Sequence, residues 1–204
     1  MKKTKFLGVI INDTLTWGDH IAVIKHKIKT SLGIIARMRY LLPSNVLLSL
    51  YHTLVAPYYN YCNMVWAVEN NVALSQLFLT QKKAVRLVTK SPWRCHTSPL
   101  FKKLRILPIM SINKLQTGCF MFCVLHNMLP AYFSSLFAYN YNIHTYFTRH
   151  SIDLHREHCR LKLRQTSLRI YGPVLWNSLP STVRHAVSLH SFRSMYKCFL
   201  LSEL

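Results

Sequence analysis

Between Asp19 and Pro43 the apolar residues Ile21, Ile24, Ile28, Ile35, Met38 and Leu42 recur at helical spacing, so the chain is expected to build around a long helix. Lys25, Lys27, Lys29, Arg37 and Arg39 lie mostly off that stripe and should give the helix a basic face. Asp19 is placed to cap its start. Pro43-Ser44 should end it near Leu42 and open a second helix reaching about Val55, ahead of Pro57. A third helix is expected over residues 72–90, with Leu74, Leu77, Phe78, Val85 and Val88 turned inward. A short amphipathic turn at Ser98–Leu104 and a helix over 109–128, stopping before Pro130, complete the first part.

The ends differ from this middle. The run 6–11, the turn formers Asn12 and Asp13, and the short run 15–17 read as a small hairpin or a strand entering a helix. Residues 138–170 are rich in Tyr, Asn and His and then basic, and read as an extended excursion. After Gly172-Pro173 the apolar spacing is helical again, with short helices at 173–178 and 181–186 and a last one at 189–200. The expected fold is mainly α, with a short N-terminal β-hairpin, a helical bundle and a smaller helical tail.

Charge narrows the chemistry. Twenty-six Lys+Arg face six Asp+Glu in 204 residues, a formal net charge of +20. Such an excess repels itself in a compact chain and suits a polyanionic partner, nucleic acid before an anionic membrane. The acids are Asp13, Asp19, Glu69, Asp153, Glu157 and Glu203, with no D-D or D-x-D pair to clamp two Mg²⁺ ions. Two uncharged stretches, 40–68 and 115–148, are long enough to span a bilayer. Pro43, Asn45, Pro57, His126 and Pro130 interrupt them, so no membrane span is expected. The N-terminus lacks the pattern of a secretory signal, so the chain is expected to be intracellular, in nucleus or cytoplasm, with its six cysteines reduced.

The basic faces are the leading candidate sites. Lys82, Arg86 and Lys90 repeat at i, i+4 and i+8 with Lys83 beside them, within reach of successive phosphates of one backbone. Lys25, Lys29, Arg37 and Arg39 form a second group. Neither specifies contacts to base edges, so binding should be non-specific. Cys119, Cys123 and His126 are spaced to share a helix face as zinc ligands, but Phe120, Met121, Phe122 and Leu125 around them favour an ordinary core, and no metal is expected. His150, His155, His158 and Cys159 cluster beside Arg149, Arg156 and Arg160 without a C-x-x-C element. A disordered segment or basic RNA-contacting loop is expected there rather than a zinc knuckle. The neighbours Cys95 and His96 carry no acid partner for nucleophilic catalysis. Tyr58, Tyr59, Tyr61 and Trp66 could stack bases but, beside an apolar helix, read as core.

An ordered series of segments points to a family. Lys5-Phe6-Leu7-Gly8-Val9, with Leu15-Thr16-Trp17 and His20-Ile21, resembles the K-F-L-G-V … L-T-W-x-x-H-I segment of LINE-type, jockey-like reverse transcriptases. Tyr51, Leu54, Pro57, Tyr61-Cys62 and Trp66 are similar to the family's Y-x-x-L-x-x-P-x-x-x-Y-C-x-x-x-W. Gln81 to Arg86 resembles its Q-K-R-A-x-R helix. Segment 96–104, the trio His144, Tyr146 and Thr148-Arg149, and the closing run from Tyr171-Gly172-Pro173 through Trp176-Asn177 to Phe192 follow in the same order.

The resemblance implies that residues 1–17 are the end of the palm, with Phe6, Leu7 and Gly8 primer-grip-like. It implies a helical thumb-like domain at 18–137, and a basic extended segment with a helical tail at 138–204. It further implies a C-terminal fragment of an RNA-directed DNA polymerase, separated from its fingers and from the palm whose Y-x-D-D turn binds Mg²⁺. No residue of this chain matches that turn, so catalysis is not expected and no cofactor is carried over. The expected partners are RNA, DNA or an RNA–DNA hybrid, held by phosphate contacts. The alternative is a non-functional, poorly folding product of a decayed element.

Overall fold

A computed structural model describes residues 2–67, 72–143 and 149–204. They are mainly helical, with one two-stranded antiparallel sheet at the N-terminus. The chain divides into two compact units, Met1–Asn113 with Leu201–Leu204, and Lys114–Leu200.

The first unit opens with β1 (Lys3–Phe6) and β2 (Val9–Asn12), paired so that Phe6 faces Val9 and Lys3 faces Asn12. This corrects the expected strand at 6–11. The turn falls inside that run, at Leu7-Gly8, where both residues have positive φ, 45° and 82°. Two left-handed residues make the tight turn whose twist matches antiparallel strands. Leucine resists that conformation, so the turn needs help from elsewhere. Tyr61 supplies it, its hydroxyl donating to the Leu7 carbonyl at 2.6 Å, while the Trp66 indole N–H donates to the Tyr61 carbonyl at 2.8 Å. The run 15–17 is likewise no strand. Asn12 closes a turn by accepting from the Thr16 N–H at 3.0 Å, and Leu15 and Trp17 take left-handed φ values.

Helix α1 (Gly18–Met38) buries His20, Ile21, Ile24, Ile28, Leu32 and Ile35 and packs against α5 (Val72–Val88), which buries Leu74, Leu77, Gln81, Ala84, Val85 and Val88. Asp19 does not cap α1. Trp17 holds the cap position without a side-chain bond, and Asp19 pairs instead with Lys3 of β1 at 2.7 Å. Between these helices lie α2 (Ser44–Leu54), α3 (Ala56–Asn60) and α4 (Asn63–Trp66), breaking the uncharged stretch into short pieces. Tyr51, Tyr59 and Trp66 are fully buried, Tyr58 is half-buried and Tyr61 is exposed. No described helix is long and apolar enough to cross a membrane.

His20 ties the hairpin to this core. Its Nδ1 accepts from the Ile10 N–H at 3.4 Å, its ring meets Trp66 edge-on at 5.5 Å, and its Nε2 is buried without a partner. Burial first, and then the charge of Lys27, hold its pKa below 6.5. The unfolded chain therefore binds the proton more readily. The stability contributed by neutral His20 is present above 6.5 and is lost as pH falls from there through the lower folded value. Urea midpoints should drop between pH 8 and pH 5, and His20→Gln should flatten that dependence. Equal slopes in both proteins would remove His20 from the account.

After α5 come α6 (Ser98–Leu104) and α7 (Ile109–Leu125), with the unit boundary falling inside α7. The second unit adds α8 (Ala131–Ser134), a 3-10 turn at Asn140–Asn142, α9 (Lys162–Gln165), α10 (Leu168–Ser178), α11 (Ser181–Arg184) and α12 (Leu189–Ser202) as far as Leu200. Gly172 and Pro173 lie within α10, a correction to their expected role as the break before it. Phe192 centres this core, 5.0 Å from Phe122 and 5.7 Å from Trp176 between ring centroids.

The two close-packed glycines of this unit differ in what surrounds them. A Cβ on Gly118 would stand 2.7 Å from Tyr196 Cε1 and 3.4 Å from Phe192 Cζ, whereas the three atoms nearest one on Gly172 all belong to the flexible Met121 side chain, the closest at 2.7 Å. Gly118→Ala should therefore cost about 1–3 kcal/mol through overpacking. Gly172→Ala should be near neutral, because the methionine can move. Urea midpoints of the two variants check the contrast, and equal effects would overturn it.

Candidate nucleic-acid interface

The site begins with how α5 ends. Lys90 has φ 55°, the Ser91 N–H bonds the Arg86 carbonyl at 3.0 Å, and the Lys90 N–H bonds the Leu87 carbonyl at 3.2 Å. This paired closure is a Schellman turn, normally built on glycine. Pro92 follows, and the Cys95 N–H returns to the Pro92 carbonyl at 3.1 Å to form a second turn. Two arginines fasten the loop. Arg86 Nε donates to the Cys95 carbonyl at 3.0 Å, and Arg39 Nη2, at the C-cap of α1, donates to the Lys90 carbonyl at 3.2 Å.

Trp93 is thereby laid beside the basic face of α5. The residue is 66% exposed, with Lys83 Nζ 5.2 Å and Arg86 Cζ 5.7 Å from the ring centroid. Together α1, α5 and this loop enclose a groove of about 440 Å³. Lys29 and Arg39 line it from the side of α1 and Lys83 and Arg86 from α5, with Trp93 of the loop and with Leu32, Gly33 and Ala36 among the apolar lining. None of its lining residues is acidic.

Four of the eight cations singled out by spacing thus line one groove, Lys29 from α1, Arg39 from its C-cap, and Lys83 and Arg86 from α5. The others are placed elsewhere. Lys82 lies over Phe78 at 4.6 Å and Lys25 bonds Gln76 at 2.8 Å, while Arg37 and Lys90 are exposed outside the groove wall. Trp93 was not singled out. Its signal was a large aromatic in a Pro-containing loop between Lys90 and Arg94, where a core residue would be out of place.

Phe6, Leu7 and Gly8 form the hairpin tip, with Phe6 and Leu7 largely exposed. Of Cys119, Cys123 and His126, Cys119 is held protonated by burial, which pushes its thiol up to about 11, and burial also raises Cys123. His126 stacks on Phe122 at 4.0 Å. Among the described residues no group of three or more His, Cys, Asp or Glu is placed to hold a metal ion.

Three of the described acids are held in ion pairs: Asp19 with Lys3, Asp153 with His150 and Arg184, and Glu157 with Arg164 and Arg169. The Cys/His-rich segment, expected as disordered or as a basic loop, is clasped where it is described. Asn177 bonds both the N–H and the carbonyl of Leu154, and Asn140 bonds the His150 carbonyl. His144, Tyr146 and Thr148 lie outside the described residues.

A basic groove on a mainly helical chain, with the segments quoted above, is the setting in which the sequence comparisons fall. They place about half of the chain among relatives of mobile-element RNA-directed DNA polymerases. It is 30% identical over 108 residues to the RNA-directed DNA polymerase from mobile element jockey of Drosophila funebris, covering 50% of this chain and 12% of that protein. It is 26% identical over 117 residues to the probable RNA-directed DNA polymerase from transposon X-element of Drosophila melanogaster, covering 54% of this chain and 13% of that one. The chain is therefore jockey-like over part of its length, a partial relative of non-LTR reverse transcriptases, and spans a small part of the proteins it matches. No family model and no solved structure matches it.

Proposed function

We propose that the chain holds a template–primer duplex for a jockey-like reverse transcriptase, acting as a thumb through the groove between α1 and α5. The observation that carries this reading is the convergence of Lys29, Arg39, Lys83 and Arg86 on one groove without an acid in its wall. Cations so placed neutralise successive phosphates and release counterions, whatever the sequence of the bases. The resemblance to the family's Q-K-R-A-x-R helix and the jockey relatives supports nucleic acid as the polyanion. In this reading residues 18–137 supply the thumb-like part and 138–204 a tail, with Phe6, Leu7 and Gly8 on the side of the primer. The metal-dependent transfer step belongs to a palm that these residues do not form.

The test is an electrophoretic shift with an RNA–DNA hybrid at two salt concentrations. Four phosphate contacts predict a slope of about −3.6 in log K against log salt, or about a hundredfold loss of affinity between roughly 50 and 200 mM. No binding at low salt by a chain whose circular dichroism is helical would overturn the reading. So would binding indifferent to salt. A chain with little helix would favour the decayed-element alternative.

A further inference from the structure

Resting on the reading of the groove as a nucleic-acid site, we propose that it takes an unpaired nucleotide, whose base stacks on Trp93 while its flanking phosphates meet Lys83, Arg86, Lys29 and Arg39. A paired duplex hides the faces of its bases inside its own stack and offers a cationic groove only its backbone. An unpaired base offers a flat face, and an indole is a platform that any base can use.

The geometry matches that need. Trp93 is 66% exposed although it is among the largest side chains of the first unit, and it lines the groove. Lys83 and Arg86 lie within cation–π distance of the ring, which steadies its plane and sets positive charge beside any base placed on it. Arg86 also bonds the Cys95 carbonyl, which ties the loop that carries the ring to one of its cations. Of the other aromatics that could stack a base, Tyr59 and Trp66 are fully buried, and the half-buried Tyr58 and exposed Tyr61 do not line this groove. The groove of about 440 Å³ has apolar lining from Leu32, Gly33, Ala36 and Leu87 between its cations, a mixture suited to a base with its sugar. The ligand class is therefore single-stranded nucleic acid, or the unpaired strand where a duplex ends, bound without base-edge readout.

The experiment compares the full chain with Trp93→Ala and Trp93→Phe on two fluorescein-labelled probes at one salt concentration. One probe is a single-stranded oligo(dT), and the other is a blunt RNA–DNA hybrid of equal length. Stacking on an aromatic contributes enough that its removal should weaken oligo(dT) binding at least about fivefold more than hybrid binding. Trp93→Phe should retain most of the single-strand affinity, because a smaller flat ring remains. Oligo(dT) should quench tryptophan emission of the parent chain, and Trp93→Phe should abolish that quenching. Equal weakening on both probes, or no change on either, would overturn the stacking proposal and leave the groove reading standing. A parent chain that is helical and binds neither probe would overturn both. Circular dichroism of each variant keeps misfolding from being read as lost stacking.

Discussion

A Lys29→Ala, Lys83→Ala chain should bind an RNA–DNA hybrid with its salt slope cut from about −3.6 to about −1.8, so that the loss between roughly 50 and 200 mM falls from about a hundredfold to about tenfold. Both side chains are exposed and line the groove from α1 and α5, so their removal leaves α1 and α5 packed through Ile28, Ile35, Leu77 and Val88. The arginines are poorer choices. Arg39 and Arg86 bond the backbone of the loop that carries Trp93, and truncating either would disturb shape as well as charge. Replacing Lys25 and Lys82, which lie outside the groove wall, is the matched control and should shift the slope by far less. Equal effects from the two pairs would mean that diffuse charge, rather than this groove, does the binding.

The second large effect concerns stability. Gln81→Leu should remove about 4 kcal/mol from the first unit, read as a fall in its urea midpoint. Gln81 is fully buried on α5. Its Nε2 donates to the Leu107 carbonyl at 2.9 Å and to the Tyr51 hydroxyl at 3.3 Å, and its Oε1 accepts from the Ile109 N–H at 2.9 Å. Ile109 is the first residue of α7, so one amide side chain fills an orphan position at a helix start. Leucine is about the same size and would leave a buried carbonyl and a buried N–H unpartnered, at about 1–3 kcal/mol each. That is a large share of the roughly 5–15 kcal/mol that holds an ordinary domain. A change below about 1 kcal/mol would show that the two backbone groups find other partners.

How far the sequence disclosed this architecture depends on whether the deciding interaction was local. The stripe from Ile21 to Ile35 is set by helical periodicity alone, and α1 buries it as expected. Ser44 likewise opens α2 just after Pro43, within one residue of the expected limits. The hairpin register was not legible, because Leu7 takes a left-handed conformation only with the Tyr61 hydroxyl, 54 residues away, to hold its carbonyl. Gly172-Pro173 looks like punctuation in one dimension. In three, the glycine admits Met121 against α10 and the helix tolerates the proline after it. The candidate site shows the same division. Spacing along one helix grouped Lys82 with Arg86, but the groove is made between helices, and it selects Lys83 and Arg86 to face Lys29 and Arg39. Trp93 was invisible to periodicity because it belongs to no helix. Only the turn that follows α5 carries it back over the cations.

That turn has a consequence for how a ligand is met. The loop from Thr89 to Cys95 is closed by its own backbone bonds and by two arginines before anything arrives. A binding surface assembled in advance does not charge the ligand for freezing side chains, a cost of about 0.5–1.5 kcal/mol for each one immobilised on binding. Association should therefore be governed by encounter and charge, with little delay for rearrangement of the protein. On the proposed reading of the groove, the left-handed strain carried at Lys90 is the cost of readiness, met during folding instead of at each binding event.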